Sequence, residues 1–222
     1  MEFLLGVAAS LVAAILLAFS ARYLPGRLKA VVAALVGRAL GCGIDRVFEN
    51  EDAASGDILS MAATSKAIRV LSIRGFRLTG EGRPLNKLLD KSREYDSLEV
   101  MLADPKSSAV VDRAAGFEQQ SAIYPMAAMY VEDVARSLAV LAEHARHDPR
   151  IRVRMHSQCQ SFRLFITDDY IYLSFFPKGR SASTSPVYRV RKASLLYEAL
   201  LRHYLWVRDE LSEEYLPQPR RE

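Results

Sequence analysis

An uncharged run of nineteen residues, FLLGVAASLVAAILLAFSA from Phe3 to Ala21, constrains this chain more than any other feature. As an α-helix it measures roughly 28 Å, close to the hydrocarbon thickness of a bilayer. A helix packed on a water-soluble core keeps a polar face, and this run has none. A cleaved signal peptide starts with a positive n-region, and Met1-Glu2 supplies no cation side chain. The run therefore predicts one transmembrane helix within residues 1–24. Arg22, Arg27, Lys29 and Arg38 all follow it. The positive-inside rule then puts the C-terminal side in the cytoplasm and the chain in the inner (plasma) membrane, with membrane lipid as a direct partner. Gly6, Ala9, Ser10, Ala13 and Ala14 recur at three- or four-residue steps. That small-residue face either lets helices associate or has no partner.

Residues 25–56 read as a juxtamembrane helix and linker. Leu28, Val31, Val32, Leu35 and Val36 share one face, edged by Arg27, Lys29 and Arg38. Such a helix lies along the membrane surface, or packs on the domain or on another protomer. Gly41 and Gly43 end it, and the stretch from Glu49 to Gly56 is a polar linker. Residues 57–212 then form one cytoplasmic α/β domain, and residues 213–222 a polar, frayed tail. Half of the 222 residues are hydrophobic, enough for about 170 residues to bury a core. The net charge is +4, and Glu2 is the only charged side chain before Arg22, so the rest carries +5. This mild excess suits lipid headgroups or a small anionic ligand and is too diffuse for duplex nucleic acid. Cys42 and Cys159 form no CxxC pair, which argues against a disulfide framework or structural zinc.

Within the domain, Asp57 is placed to cap a helix through Ile58, Leu59, Met61 and Ala62. Ala67–Arg74 reads as a buried strand, Pro84 opens a helix carrying Leu85, Leu88 and Leu89, and Ser97–Ala103 reads as a second strand. Strand, helix, strand at this spacing predicts a parallel pair with a right-handed crossover. Helical patterns follow over Ala109–Phe117 and from Pro125 to His147. Ile151–Met155 is a third strand, Ser161–Thr167 and Tyr170–Phe176 a hairpin about Asp168-Asp169, and Val187–Val190 a last strand. Ser194 caps a final helix with Leu195, Leu196, Leu200, Leu205 and Trp206 on its apolar side.

Ligands of α/β sheets sit beyond the carboxyl ends of parallel strands. That rule points to Arg74–Arg77 after the first strand and to Asp104-Pro105 after the second. The loop from Lys178 to Ser185 adds Lys178, Arg180, Ser181 and Ser183, either as a phosphate cradle or as a solvated loop. Arg74, Arg163, Lys178, Arg180, Ser181 and Ser183 are the candidate phosphate contacts. His144 and His147 lack a third metal ligand, and Asp168-Asp169 is explained more cheaply by a turn than by a general base or metal site. The sequence contains no P-loop, nucleophile elbow or zinc motif, so neither metal nor cofactor is expected.

The segments RVLSIRGF with LNKLL, SLEVMLADPKSSAVVDRA, FRLFITDDYIYLSFF, and SPVYRV with SLLYEALLRHYLW carry a resemblance from Asp57 to Arg208. Together they resemble one half of the phospholipase D superfamily, in a divergent single-copy form found in bacterial regulatory and defence proteins. The resemblance implies an α/β domain and, in active members, a His-x-Lys-x4-Asp motif with a nucleophilic histidine and a phosphate-binding lysine. With Asp168 at the motif's aspartate, Ser161 stands at the histidine and Arg163 at the lysine. No phosphohistidine can form, whereas arginine can still hold a phosphate. The resulting expectation is a membrane-anchored, non-catalytic, oligomeric sensor or effector of a nucleotide or other phosphate-bearing ligand, in bacterial stress or antiphage defence. The alternatives are a membrane-bound phosphodiesterase using His156 or Asp168, and a membrane-anchored protein-binding scaffold.

Overall fold

The computed structural model describes residues 41–75, 84–89, 95–118, 126–158, 160–175 and 185–215. The apolar run of residues 1–24, the juxtamembrane stretch to residue 40, and Lys178, Arg180, Ser181 and Ser183 lie outside the described residues. No helix among the described residues is long and apolar enough to cross a membrane.

The described chain is a mixed α/β fold on one eight-stranded sheet. In chain order the elements are β1 (Ile44–Phe48), α1 (Glu51–Ala63), β2 (Ala67–Ser72), α2 (Pro84–Leu88), β3 (Ser97–Ala103), α3 (Ser108–Glu118), α4 (Met126–His147), β4 (Ile151–His156), β5 (Phe162–Ile166), β6 (Tyr170–Phe175), β7 (Val187–Arg191), α5 (Leu195–Glu210) and β8 (Ser212–Glu214). The strands lie in the order β1-β7-β6-β5-β2-β3-β4-β8. β2, β3 and β4 run parallel, as the strand–helix–strand spacing of the first two requires, and all other neighbours are antiparallel.

The two faces of the sheet are covered unequally. Residues alternate between faces along each strand. On one face Ile68, Val70, Leu98, Val100, Val153 and Phe165 meet Ala54 and Ile58 of α1, Leu85 of α2, Val110 of α3, and Val134 and Leu138 of α4. Against the other face, Leu71, Met101, Leu164, Ile166, Ile171 and Val190 pack on Tyr197, Tyr204 and Val207 of α5. Among the described residues one 16-residue helix lies over this face, and Arg152 beside it is exposed.

Three sequence expectations are corrected. The first helix is capped by Asn50, whose side chain accepts from the Ala53 N–H at 2.9 Å, and not by Asp57. The Ser- and Gly-containing stretch to Gly56 looked like a linker, yet Ala54 within it is fully buried. Asp57 serves packing instead. Its carboxylate accepts from the Tyr172 hydroxyl at 2.6 Å, from Arg189 Nη1 at 3.1 Å and from Arg46 at 2.9 Å. Arg189 also grips Asp45 through Nε at 2.8 Å and Nη2 at 3.1 Å. Burial first, and then Asp57, raises the Tyr172 pKa, keeping the phenol protonated as a donor. This network ties β1, α1 and β7 together, so residues 44–48, expected before the domain, belong to its sheet.

The second correction is at the end of the chain, where Glu213 and Glu214 pair with Met155 and Arg154 instead of fraying. Arg154 fixes this turn by donating to Ser212 Oγ at 2.8 Å and to the Arg208 carbonyl at 3.1 Å. Third, α5 is capped by Ser194 as expected, and Leu196, Leu200 and Leu205 of its expected apolar side pack against the core, but Leu195 is 78% exposed and Trp206 46%, while Tyr197, Tyr204 and Val207 are the buried positions. The juxtamembrane helix that Gly41 and Gly43 are expected to end lies outside the described residues; Gly43 itself, at φ +74°, leads the chain into β1, and a Cβ there would lie 2.2 Å from the Ser194 side chain.

Candidate anion-binding site

Two of the expected phosphate contacts fall within the described residues, and each already has a carboxylate. Arg74 follows β2; its Nη1 lies 3.3 Å from Asp133 Oδ2, and its guanidinium sits 5.0 Å from the Tyr130 ring centroid on α4. Arg163 is opposite Ser174 at the open end of the β5–β6 hairpin, as its position in the sequence suggested. Its side chain, however, is buried, with Nη2 2.9 Å from the equally buried Glu51 Oε2. The gap among Glu51, Arg163, Tyr172 and Ser174 measures about 10 Å³, room for one water at most. Arg163 therefore anchors α1 to the sheet. The two arginines lie near the same end of neighbouring strands, and the fold gives each its own acid.

The other motif positions are likewise structural. Asp168 accepts from the Lys66 N–H at 2.7 Å and the Ala67 N–H at 3.3 Å, joining the hairpin turn to the start of β2. Ser161 is exposed. His156 closes β4 and is buried, with Nε2 3.2 Å from the Ser72 carbonyl. His203 of α5 lies between the rings of Phe162 at 5.3 Å and Trp206 at 5.7 Å, tilted to both.

Four arginines, Arg152 exposed and Arg69, Arg150 and Arg208 half-buried, come together at the opposite, amino-terminal end of the parallel strands, beside α5. Arg69 of β2 pairs laterally with Glu99 of β3, and Glu99 with Arg152 of β4. The three side chains form one row on the face that α5 covers only in part. With Arg150 and Arg208 they line a cleft of about 320 Å³ that also includes Asp96 and Ser97. This is at the small end of the size range of small-molecule sites.

The row is not neutralised internally. The Glu99 carboxylate accepts from the buried Tyr204 hydroxyl at 2.8 Å. Burial, reinforced by Glu99, raises the Tyr204 pKa and keeps that donor protonated. Arg150 is held by Asp148 through Nη2 at 2.7 Å and Nε at 2.9 Å, and Arg208 by Asp209 at 2.7 Å. Among the described residues, Arg69 and Arg152 form no ion pair. Two guanidiniums thus offer planar forks of donors to one cleft, the geometry that binds carboxylate or phosphate oxygens bidentately. Each lies in an apolar-charged-apolar triplet: Ile68-Arg69-Val70 and Ile151-Arg152-Val153. The signal was present in the sequence, but it becomes a site only once the lateral register is known.

No family model matches the chain, and no curated protein matches it. Among solved structures it is similar to TrmBL2, an archaeal chromatin protein whose structure shows a novel mode of DNA binding. The TM-score is 0.39 at 10% identity, over 72% of this chain and 51% of that one. The chain thus spans about half the length of that protein. So distant a likeness assigns neither fold family nor partner.

Proposed function

We propose that this protein is a membrane-anchored, non-catalytic sensor or effector whose α/β domain binds a small phosphate-bearing ligand in the Arg69–Arg152 cleft and acts at the membrane as an oligomer. The observation that carries the reading is the pair of guanidiniums, in no ion pair among the described residues, that flank Glu99 in an open cleft. The apolar run of residues 3–21 supports anchoring, and the four cations after it support a cytoplasmic domain. The phospholipase D-like segments support a phosphate-bearing ligand, and bacterial stress or antiphage defence is the setting that suits this layout. Binding without turnover is favoured because Ser161 stands where that superfamily has its nucleophile, and Arg163 is committed to Glu51.

A thermal-shift screen of the full-length protein in detergent, against nucleotides, pyrophosphate and lipid headgroups, tests the ligand class. A phosphate-bearing ligand at a hundred times its Kd contributes about 2.7 kcal/mol, which raises the melting temperature by roughly 5–10 °C. No shift with any phosphate compound would overturn the reading. Carbonate washing at high pH should leave the protein in the membrane pellet, and its release into the supernatant would remove the anchor from the account. The protein should leave bis(p-nitrophenyl) phosphate intact. Hydrolysis that survives chelation and is abolished by His156→Ala would favour the phosphodiesterase alternative.

A further inference from the structure

A helix lying on a sheet normally turns a polar face to water, and α5 does not. Leu195, Ala199, Arg202 and Trp206 are all exposed and follow one another at three- or four-residue steps, which puts them in one narrow stripe along its outer side. Phe175 of β6, 49% exposed, widens this patch. Its ring meets Phe162, Phe162 meets His203, and His203 meets Trp206, with centroids 5.3–6.4 Å apart. A continuous exposed apolar surface of this kind marks an interaction site. We infer that this face of α5 docks on a lipid bilayer, with Trp206 at headgroup level and Arg202 on the lipid phosphates.

The point where the chain enters the domain selects the bilayer as occupant. Gly43 sits against the start of α5: the Arg191 N–H donates to its carbonyl at 2.8 Å, and the Ser194 side chain fills the place a Gly43 Cβ would take. The chain from the apolar run of residues 3–21 therefore arrives at the end of α5 that carries Leu195. Twenty residues separate Ala21 from Gly41, so that end stays within roughly 70 Å of the bilayer. In this step the inference rests on the membrane anchor of the proposed function. So short a tether gives the patch a high effective concentration at the membrane, and a modest apolar area is then enough to dock.

Charge argues against two protein occupants. Residues 22–40 carry Arg22, Arg27, Lys29 and Arg38 and no carboxylate, so laying them along the stripe would set cations beside Arg202. A second copy paired through the same stripe about a two-fold axis would bring Arg202 toward its counterpart. Among the described residues Arg202 forms no ion pair. Exposed Arg191 and Lys192 lie just before the helix, at the end where the tether arrives. Anionic headgroups complement all three cations, and tryptophan favours the membrane–water interface. Glu198 borders the stripe, and Asp209 and Glu210 close its far end, Asp209 already engaged by Arg208. These carboxylates hold the helix at the surface and out of the hydrocarbon.

Trp206 is the one tryptophan in the chain, so its fluorescence reads the patch directly. The test uses the full-length protein in vesicles of equal parts phosphatidylcholine and phosphatidylglycerol, with the phosphatidylcholine then replaced by its acyl-brominated form. Bromine quenches indole that touches lipid, and Trp206 emission should fall by about half or more. Leu195→Glu/Ala199→Glu places two charges in the exposed stripe and should abolish that quenching. Acrylamide, equilibrated across the vesicles by extrusion, should quench this variant several-fold more than the parent. Val111→Glu/Ala115→Glu makes the same change at exposed positions of α3, on the opposite face of the sheet, and should behave as the parent does. Vesicle-bound protein whose Trp206 escapes bromine overturns the inference, and if acrylamide is excluded as well, the occupant is protein. Quenching kept in Leu195→Glu/Ala199→Glu, or lost equally in both variants, overturns it too. Protein that does not float with the vesicles overturns the anchor and this inference together, so the two failures are distinguishable.

Discussion

Replacing Arg163 by alanine should lower the melting temperature of the full-length protein in detergent by roughly 6–20 °C. The pair it forms with Glu51 is buried on both sides, at 2.9 Å. Removing one member leaves the other as an uncompensated charge away from water, which costs about 3–5 kcal/mol. In a chain of this length each kcal/mol moves the melting temperature by about 2–4 °C. Glu51→Ala should act similarly, because the stranded guanidinium then faces Phe165 and Val187. The double variant Glu51→Leu/Arg163→Met should recover most of the loss, since replacing both charges removes the desolvation cost along with the attraction. A drop below about 2 °C in either single variant would mean that the pair is hydrated and that Arg163 remains available to a ligand. Folded Arg163 variants should keep their anion affinity, the opposite of what the motif position suggests.

The contrast between Arg163 and Arg152 shows where the sequence was legible. Strand positions and most helices could be read from periodicity because buried parallel strands are near-continuous apolar runs, as in Ser97–Ala103, which is β3 residue for residue. The parallel pairing of β2 and β3 followed from the helix between them. Boundaries failed where local chemistry allowed two readings. Asn50 and Asp57 are both good caps, and only the burial of Ala54 and the demands of Arg189 and Tyr172 choose between them.

The candidate site was less legible for a physical reason. A charge within an apolar strand can be a partner in the core or a functional group at an uncovered edge. Arg163 and Arg152 have the same local pattern, each flanked by hydrophobic neighbours. What separates them is which face each occupies and which helix lies over it. That depends on β4 pairing with β3 and on α5 being, among the described residues, the helix over its face, and neither fact is local.

The central claim is that Arg69 and Arg152 together hold an anion, and calorimetric titration of pyrophosphate into the full-length protein in detergent tests it most directly. Hydrogen bonds to a charged group contribute about 1.5–3 kcal/mol each, so Arg152→Ala alone should weaken binding roughly ten- to a hundred-fold. Arg69→Ala/Arg152→Ala should weaken it by at least about a hundred-fold. The parent's affinity should also fall as salt is raised, since Arg152 is exposed. Among the described residues neither arginine is in an ion pair, so the melting temperature of the unliganded double variant should stay within about 2–4 °C of the parent, equivalent to roughly 1 kcal/mol. The account predicts a folded double variant that no longer binds pyrophosphate measurably; a folded double variant with the parent's affinity would contradict it.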